Sequence, residues 1–123
     1  LEQYDLCIGD YTQAIQNAAS AAESATYHAN RGAAYALQGD LQRALDDFTQ
    51  AISLNPNLAR AYESRAGIYQ QLGMYTEMAA DYSTFLGLKP DSVNAYLQRA
   101  QAYEHLGDLN AAIQDYTQAA ALQ

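Results

Sequence analysis

The sequence predicts an all-α solenoid, in which antiparallel helix hairpins stack side by side. The first observation is a strict spacing of 34 residues, and the second is an alanine-rich composition with little Val or Ile, which favours helices over sheets. The columns with this spacing are Gly39, Gly73 and Gly107; Tyr35, Tyr69 and Tyr103; Arg31, Arg65 and Arg99; Asp47, Asp81 and Asp115; Pro56 and Pro90. A period of this length is typical of repeats that contact only their neighbours.

The N-terminal segment is predicted to be half a repeat. Asp10-Tyr11-Thr12-Gln13-Ala14 matches residues 47–51 and 115–119, which makes Gln3–Ala18 a second helix without its first helix. An Ala/Ser-rich connection then precedes Ala25. A competing register, in which Gly9-Asp10-Tyr11 corresponds to residues 39–41, ranks second because it loses the Thr-Gln-Ala match. Leu1 and Glu2 are open to interpretation as a cloning remnant.

Three further repeats follow, which gives about three and a half units and roughly seven helices. We assign residues 1–24 to the half repeat and 25–58, 59–92 and 93–123 to the repeats of a single domain, the last of them without a C-terminal capping helix. In each unit a glycine divides two stretches of helical periodicity, because a left-handed residue ends a helix most easily without a Cβ. Pro56 and Pro90 separate one unit from the next.

Repeated side chains predict how the helices pack. Small residues at Gly32, Ala66 and Ala100 allow the two helices of a hairpin to approach closely. The arginine and aspartate columns share one offset, so we expect them to pair within the stack rather than to form a ladder for an acidic ligand. As exposed pairs they would contribute at most about 1 kcal/mol each. His28 is expected to be a packed substitute for the aromatic residues of its column.

Composition and charge restrict the function. The net charge of −8 argues against a basic surface for nucleic-acid phosphates and disfavours binding to anionic membranes. No apolar stretch of the sequence is long enough to span a bilayer. The single cysteine, Cys7, is expected to be a small buried residue, because it occupies the column of Ala44 and Ala112. No phosphate loop, nucleophile elbow, metal-ligand spacing or catalytic carboxylate pair occurs. We therefore predict no catalytic residues, metal or cofactor. The sequence leaves the compartment unknown, with a cytoplasmic location favoured.

The repeated columns resemble the tetratricopeptide repeat over nearly the whole chain. The residues that carry this resemblance are Gly32, Tyr35, Gly39, Ala44, Phe48, Ala51 and Pro56 in the first full unit, and Ala100, Tyr103, Gly107, Ala112, Tyr116 and Ala119 in the last. The resemblance implies a right-handed superhelix whose concave face, lined by first helices, binds a peptide or a partner helix. It also implies a scaffold or adaptor rather than an enzyme.

The resemblance places the candidate peptide-binding groove on the exposed positions of the first helices. The residues selected for it are Asn30, Leu37, Arg60, Ser64, Gln71, Asn94, Gln98 and Gln101. The wider set adds Thr26, Ala29, Ala33, Glu63, Gly67, Gln70, Leu97, Glu104 and His105. Amide side chains pair with both donors and acceptors of an extended peptide backbone, as a polar groove requires, and a plain solvent-exposed surface is an equally open interpretation of these residues.

One subfamily binds the C-terminal carboxylate of heat-shock chaperones with a clamp of basic and Asn residues. Asn30 and Arg60 fall on clamp positions, but Ser64 stands where the clamp has Arg. A single point charge is poor for bidentate recognition of a carboxylate, which argues against this specificity. Two alternatives to a groove-binding adaptor stay open: self-association into a homo-oligomer through uncapped ends, and a regulatory fragment of a larger protein.

Overall fold

The computed structural model describes residues 2–123, with the exception of the Glu2 side chain, so any role of Leu1 and Glu2 as a remnant lies outside the described residues. These residues form seven helices and no strand, which confirms the all-α class. The helices are α1 Glu2–Gln16, α2 Ala21–Gln38, α3 Leu41–Leu54, α4 Ala59–Gln71, α5 Tyr75–Leu88, α6 Val93–Leu106 and α7 Leu109–Leu122. Within this described part, no helix is long and apolar enough to cross a membrane.

The chain divides into two compact units, one ending at Arg65 and one beginning at Ala66, so that α4 contributes to both. In the first unit α2 packs against α1 and α3. In the second unit α6 packs in the same way against α5 and α7. Each unit therefore contains a first helix packed between two second helices. This three-helix arrangement is the one that recurs along a helical-repeat solenoid.

The N-terminal segment departs from two sequence expectations. Because α1 runs without a break through Gly9, the competing register that starts a helix at Tyr11 is wrong. The expected connection before Ala25 is also wrong for residues 21–24, which are helical. The Ser20 side chain accepts a hydrogen bond from the Glu23 amide, and this cap starts α2 one turn earlier than the repeat pattern predicts.

Left-handed glycines end the first helices, as the glycine column predicts. Gly39, Gly73 and Gly107 have φ angles of 88°, 72° and 81°. The amides of Gly39 and Asp40 donate to carbonyls of the last turn of α2, and those of Gly107 and Asp108 do the same for α6. These bonds satisfy carbonyls that a helix end leaves free, so each hairpin turns sharply after its first helix.

The first hairpin has a close contact that requires a small residue. A Cβ atom on Gly32 would lie 3.2 Å from both the Asp47 Cβ and the Phe48 ring, and 3.3 Å from the Ala44 carbonyl oxygen. Ala44 and Phe48 are buried to within 2% of full burial. The expected close approach of the two helices is therefore confirmed at this position, where only glycine avoids displacing its neighbours.

Arginine and aspartate pair inside the hairpins. Arg31 Nε and Nη2 donate to the two carboxylate oxygens of Asp47 at 2.8 Å, and Arg99 binds Asp115 in the same bidentate way at 2.8 and 2.7 Å. The two aspartate side chains are only 5% and 6% exposed. The predicted pairing is confirmed here, but the expectation of exposed pairs is wrong, because the carboxylates lie in the core. These hydrogen bonds raise the pKa of both arginines above the ordinary value.

Each of these arginines also reaches a second helix of the preceding hairpin. Arg31 Nη1 donates to Thr12 Oγ1 of α1 at 3.0 Å, and Arg99 Nη1 donates to Ser83 Oγ of α5 at 3.0 Å. Arg65 Nη1 similarly donates to Thr49 Oγ1 at 3.1 Å. We call this arrangement the arginine staple. At Arg31 and Arg99 it connects a first helix to the helices on both sides of it.

Asp47 allows a test of the buried pair. Asp47→Ala removes the acceptor of two Arg31 hydrogen bonds and of a contact with His28 Nδ1 at 3.0 Å, so we expect the free energy of unfolding to fall by about 2–3 kcal/mol. The matched control is Asp46→Ala, which removes a carboxylate from the exposed side of the same helix. We expect it to cost less than about 0.5 kcal/mol. Equal urea midpoints for the two variants would show that the pair adds no stability.

The turn before α5 lacks a cap that its counterparts have. Asp40 and Asp108 accept hydrogen bonds from the amides of Arg43 and Ala111, whereas Met74 occupies the same position and makes no side-chain cap. The backbone is nearly identical, with φ −91° and ψ 74° at Met74 against −87° and 78° at both aspartates.

Met74→Asp is therefore expected to stabilise the chain by about 1 kcal/mol, as a side-chain N-cap typically does. The measurement is the thermal midpoint by circular dichroism. Met74→Ala removes the same thioether without adding an acceptor and serves as the control. A midpoint for the Asp variant at or below that of the Ala variant would contradict the assignment of Met74 as the helix cap.

Candidate functional site

A pocket of about 240 Å³ lies between α1 and α2 in the first unit. Its lining residues come from one face of each helix: Tyr4, Cys7, Tyr11, Asn30, Ala33, Ala34 and Leu37. The spacing of three or four residues within each set puts the side chains on a single stripe of the helix. Two residues of the sequence-derived groove, Asn30 and Leu37, are therefore brought together here.

The pocket combines an apolar wall with one amide. Leu37 is 66% exposed and lines the pocket together with two half-buried tyrosines. Alanines at 33 and 34 leave room between the helices, and the Asn30 side chain supplies both a donor and acceptors. No charged side chain is among the described residues that line the pocket. The chemistry suits an uncharged, partly apolar group.

Cys7 corrects an expectation from the sequence. The thiol is exposed and lines the pocket, whereas its column partners Ala44 and Ala112 are 0% and 2% exposed. Ala44 lies beside Gly32 where α2 and α3 pack together, whereas the face of α1 that contains Cys7 is not covered by another helix among the described residues.

Arginine charge is directed away from this pocket. Arg31, next to Asn30, uses its guanidinium for Asp47 and Thr12. Two other selected residues of this unit, Arg60 and Ser64, lie exposed one turn apart on α4 and do not line the pocket. A negatively charged ligand in the pocket would consequently find an amide and hydroxyl groups but no cation among the described lining residues.

The second unit has a more polar pocket of about 370 Å³. It is lined by Gln101, Glu104 and His105, all exposed residues near the end of α6. The His105 ring stacks on Tyr75 of α5, with ring centroids 4.1 Å apart and an angle of 2° between the planes. The Tyr116 hydroxyl donates to Glu104, which raises the pKa of that phenol. The Glu104 carboxylate and the Gln101 amide therefore line the pocket, and contacts with Tyr75 of α5 and Tyr116 of α7 hold the neighbouring His105 and Glu104 side chains.

The remaining selected residues of the second unit lie outside that pocket. Asn94 and Gln98 lie one turn apart on α6, exposed and half-buried respectively, and Gln71 is the exposed last residue of α4. Gln101 is thus the one selected residue that lines it. Of the wider set, Ala29 is wrong as a groove residue, because it is fully buried.

Sequence analysis missed the contribution of α1. Tyr4, Cys7 and Tyr11 form half of the first pocket, although only first-helix positions were expected to line a groove. Tyr11 occupies the column of Phe48, which is buried, so periodicity assigned it to the core. The 34-residue columns give no signal for this difference, because a column predicts which face of a helix a residue lies on but not whether another helix covers that face.

Comparison with known proteins identifies the repeats. Family models described as tetratricopeptide repeat match residues 25–58, and 59–92 and 93–123. A comparison with curated proteins found no match.

Solved structures share the fold. The structure of MamA aligns over 80% of this chain with a TM-score of 0.76 and 26% identity, and the chain spans 57% of the length of that protein. The Arabidopsis OM64 TPR domain gives a TM-score of 0.77 at 26% identity, covering 85% of this chain and 86% of that one. The second TPR of Spaghetti (RPAP3), bound to the HSP90 peptide SRMEEVD, gives 0.74 at 27% identity, covering 90% and 99%.

These matches confirm the helical-repeat solenoid class inferred from the 34-residue columns. The repeat models together cover most of the chain, from residue 25 to its last residue. The chain therefore belongs to the tetratricopeptide repeat family, a family of protein-interaction modules.

Proposed function

We propose that this chain binds an extended peptide segment or a partner helix through its first-helix surfaces, as an adaptor rather than an enzyme. The observation that carries the proposal is the pocket between α1 and α2, where Asn30 and the exposed Leu37 lie beside two tyrosines. An exposed leucine in a concave, aromatic-lined site is typical of a surface that covers an apolar side chain.

The pocket chemistry suggests how such a segment would bind. An aliphatic or aromatic side chain of the peptide would bury its surface against Tyr4, Tyr11 and Leu37. The amide of Asn30 would then pair with a backbone N–H or C=O of the peptide, which fixes the position of the segment along α2. The remaining selected positions lie on first helices of each unit, Arg60 and Ser64 in the first unit and Gln71, Asn94, Gln98 and Gln101 in the second, and would add polar contacts to a segment bound on the same unit.

Charge distinguishes this ligand from an acidic chaperone tail. The chain carries a net charge of −8, the first pocket has no cation among its described lining residues, and the second pocket presents Glu104. Acidic peptides would be repelled and basic segments would be attracted, whereas neutral segments would experience neither effect. A neighbour of similar fold binds SRMEEVD, but Ser64 stands in place of the clamp arginine here, so we propose a different peptide class.

Self-association through the end helices, and a regulatory role inside a larger protein, stay predictions of the sequence. Neither is favoured by a specific contact in the two units. Both differ from groove binding in a measurable way, because self-association changes the solution mass and groove binding does not.

Phage display of random peptides on the chain tests the groove. We expect the selected peptides to carry an apolar anchor and no net negative charge, and to bind more tightly than SRMEEVD. Leu37→Glu should weaken binding of a selected peptide about tenfold or more, because it puts a carboxylate where the anchor packs. Binding is measured by fluorescence anisotropy with the labelled peptide.

The matched control is Leu6→Glu. Leu6 is 70% exposed, close to the 66% of Leu37, and it does not line the pocket. It should leave the affinity unchanged. Equal losses in the two variants, or tighter binding of SRMEEVD with a dependence on Arg60, would overturn the proposed pocket and its charge preference.

A further inference from the structure

The pocket of the second unit differs in chemistry from that of the first, although the repeat gives both units equivalent positions. Gln101, Glu104 and His105 lie three and four residues apart on α6, so they share one face of that helix. The residues at the same positions of α2, two repeat periods earlier, are Ala33, Ala36 and Leu37. The helix packing that the two units share therefore requires neither a carboxylate nor an imidazole at these positions.

The Glu104 carboxylate is an acceptor that a neighbouring helix holds but does not saturate. It accepts a hydrogen bond from the Tyr116 hydroxyl of α7. An ionised carboxylate has two oxygens with about four acceptor sites. Because the Glu104 side chain is exposed and lines the pocket, the remaining sites are open to a donor group of a ligand. Gln101, one turn earlier on the same face, adds an amide oxygen as a second acceptor.

The His105 ring supplies a flat surface beside these acceptors. Tyr75 of α5 stacks on one face of the ring, with centroids 4.1 Å apart and the two planes 2° from parallel. Because His105 is exposed and lines the pocket, the opposite face of its ring is accessible to a ligand. A guanidinium is the planar group that stacks on an aromatic face and also directs N–H donors at a carboxylate.

Charge favours a cation over an anion in this pocket. The chain has a net charge of −8, and the described residues that line the pocket include a carboxylate but neither arginine nor lysine. Arg99 of the same helix uses its donors within the stack, on Asp115 and on Ser83. A basic group of a ligand is therefore attracted to the pocket by the chain as a whole and by Glu104 in particular.

We propose that the pocket of Gln101, Glu104 and His105 binds an arginine side chain of a peptide ligand. The guanidinium stacks on the accessible face of His105 and donates to Glu104, and the Gln101 amide oxygen accepts a further N–H. Lysine fits this site less well, because an ammonium is not planar and cannot donate two parallel hydrogen bonds to a carboxylate. This inference rests on the proposed function, since it names the side chain that the second unit recognises in such a ligand.

The direct test uses N-acetyl-L-arginine amide as the probe, because it carries the side chain on a capped backbone. The probe is titrated into the isotope-labelled full chain, and the backbone amide shifts are followed by NMR. We expect saturable shifts centred on residues 101–105. N-acetyl-L-lysine amide should bind about threefold or more weakly, through loss of stacking and of the bidentate contact. N-acetyl-L-citrulline amide, which is planar but neutral, should cause no saturable shift there.

Variants test the two contacts separately. Glu104→Gln should weaken binding of the arginine probe about threefold or more, because a charge-assisted hydrogen bond is lost. The matched control, Asp91→Asn, also removes one negative charge from an exposed position of the second unit, but outside the described pocket lining, and should leave the affinity unchanged. His105→Leu introduces the residue type of Leu37, its equivalent in the first unit, and should remove the preference for arginine over lysine. Unchanged helicity is checked by circular dichroism.

Three results would overturn the proposal. One is the absence of saturable shifts at residues 101–105, and another is equal binding of the arginine and citrulline probes. The third is an equal loss in Glu104→Gln and Asp91→Asn, which would mean a general attraction to an acidic chain. The groove of the first unit is tested apart from this pocket: peptide binding that depends on Leu37, without binding of the arginine probe, overturns the arginine pocket alone. The reverse result overturns the first-unit groove alone.

Discussion

The arginine staple is the interaction on which the packing of each unit depends. A first helix must be held between two second helices, and the arginine of that helix contacts both: Arg31 binds Asp47 on one side and Thr12 on the other. A guanidinium has enough donors in a fixed plane for a bidentate carboxylate and a further acceptor. The burial of Asp47 and Asp115 is tolerable because every carboxylate oxygen accepts such a bond.

Small residues make this geometry possible. Gly32 lies next to Arg31, and a Cβ atom at this position would lie 3.2 Å from both Asp47 and Phe48, so the helices approach closely where the staple forms. The aromatic side chains then fill the space on either side, with Phe48 and Tyr82 almost fully buried. Arg99 lies within 5.6 to 5.8 Å of the Tyr96 and Tyr103 ring centres, which adds cation–π contact to the same cluster.

Periodicity predicted the parts of the structure that repeat. The glycine column located the ends of α2, α4 and α6, and the common offset of the Arg and Asp columns predicted their pairing. Burial of that pair could not be predicted, since the pattern fixes an offset along the chain but not the depth of a side chain. His28 is an example of what periodicity conceals: it occupies an aromatic column, yet its ring bonds the buried Asp47.

The candidate sites contain residues whose burial differs from that of their column partners, and this is why they were harder to predict. Cys7 and Tyr11 have core positions by column but line a pocket. Whether such a residue is core or surface depends on the presence of a neighbouring helix, which no local pattern encodes. Asn30 and Leu37, which line the first pocket, were selected because the family resemblance implies that exposed first-helix positions line a groove.

A double-mutant cycle between Thr12→Val and Arg31→Met tests the central claim most directly, that one arginine joins neighbouring hairpins. The free energies of unfolding of the two single variants and the double variant are measured in urea. If the staple contributes as the contacts indicate, the coupling energy is about 0.5–1 kcal/mol in favour of the wild-type pair. Strict additivity of the two changes would contradict it, because the arginine would then stabilise only its own hairpin.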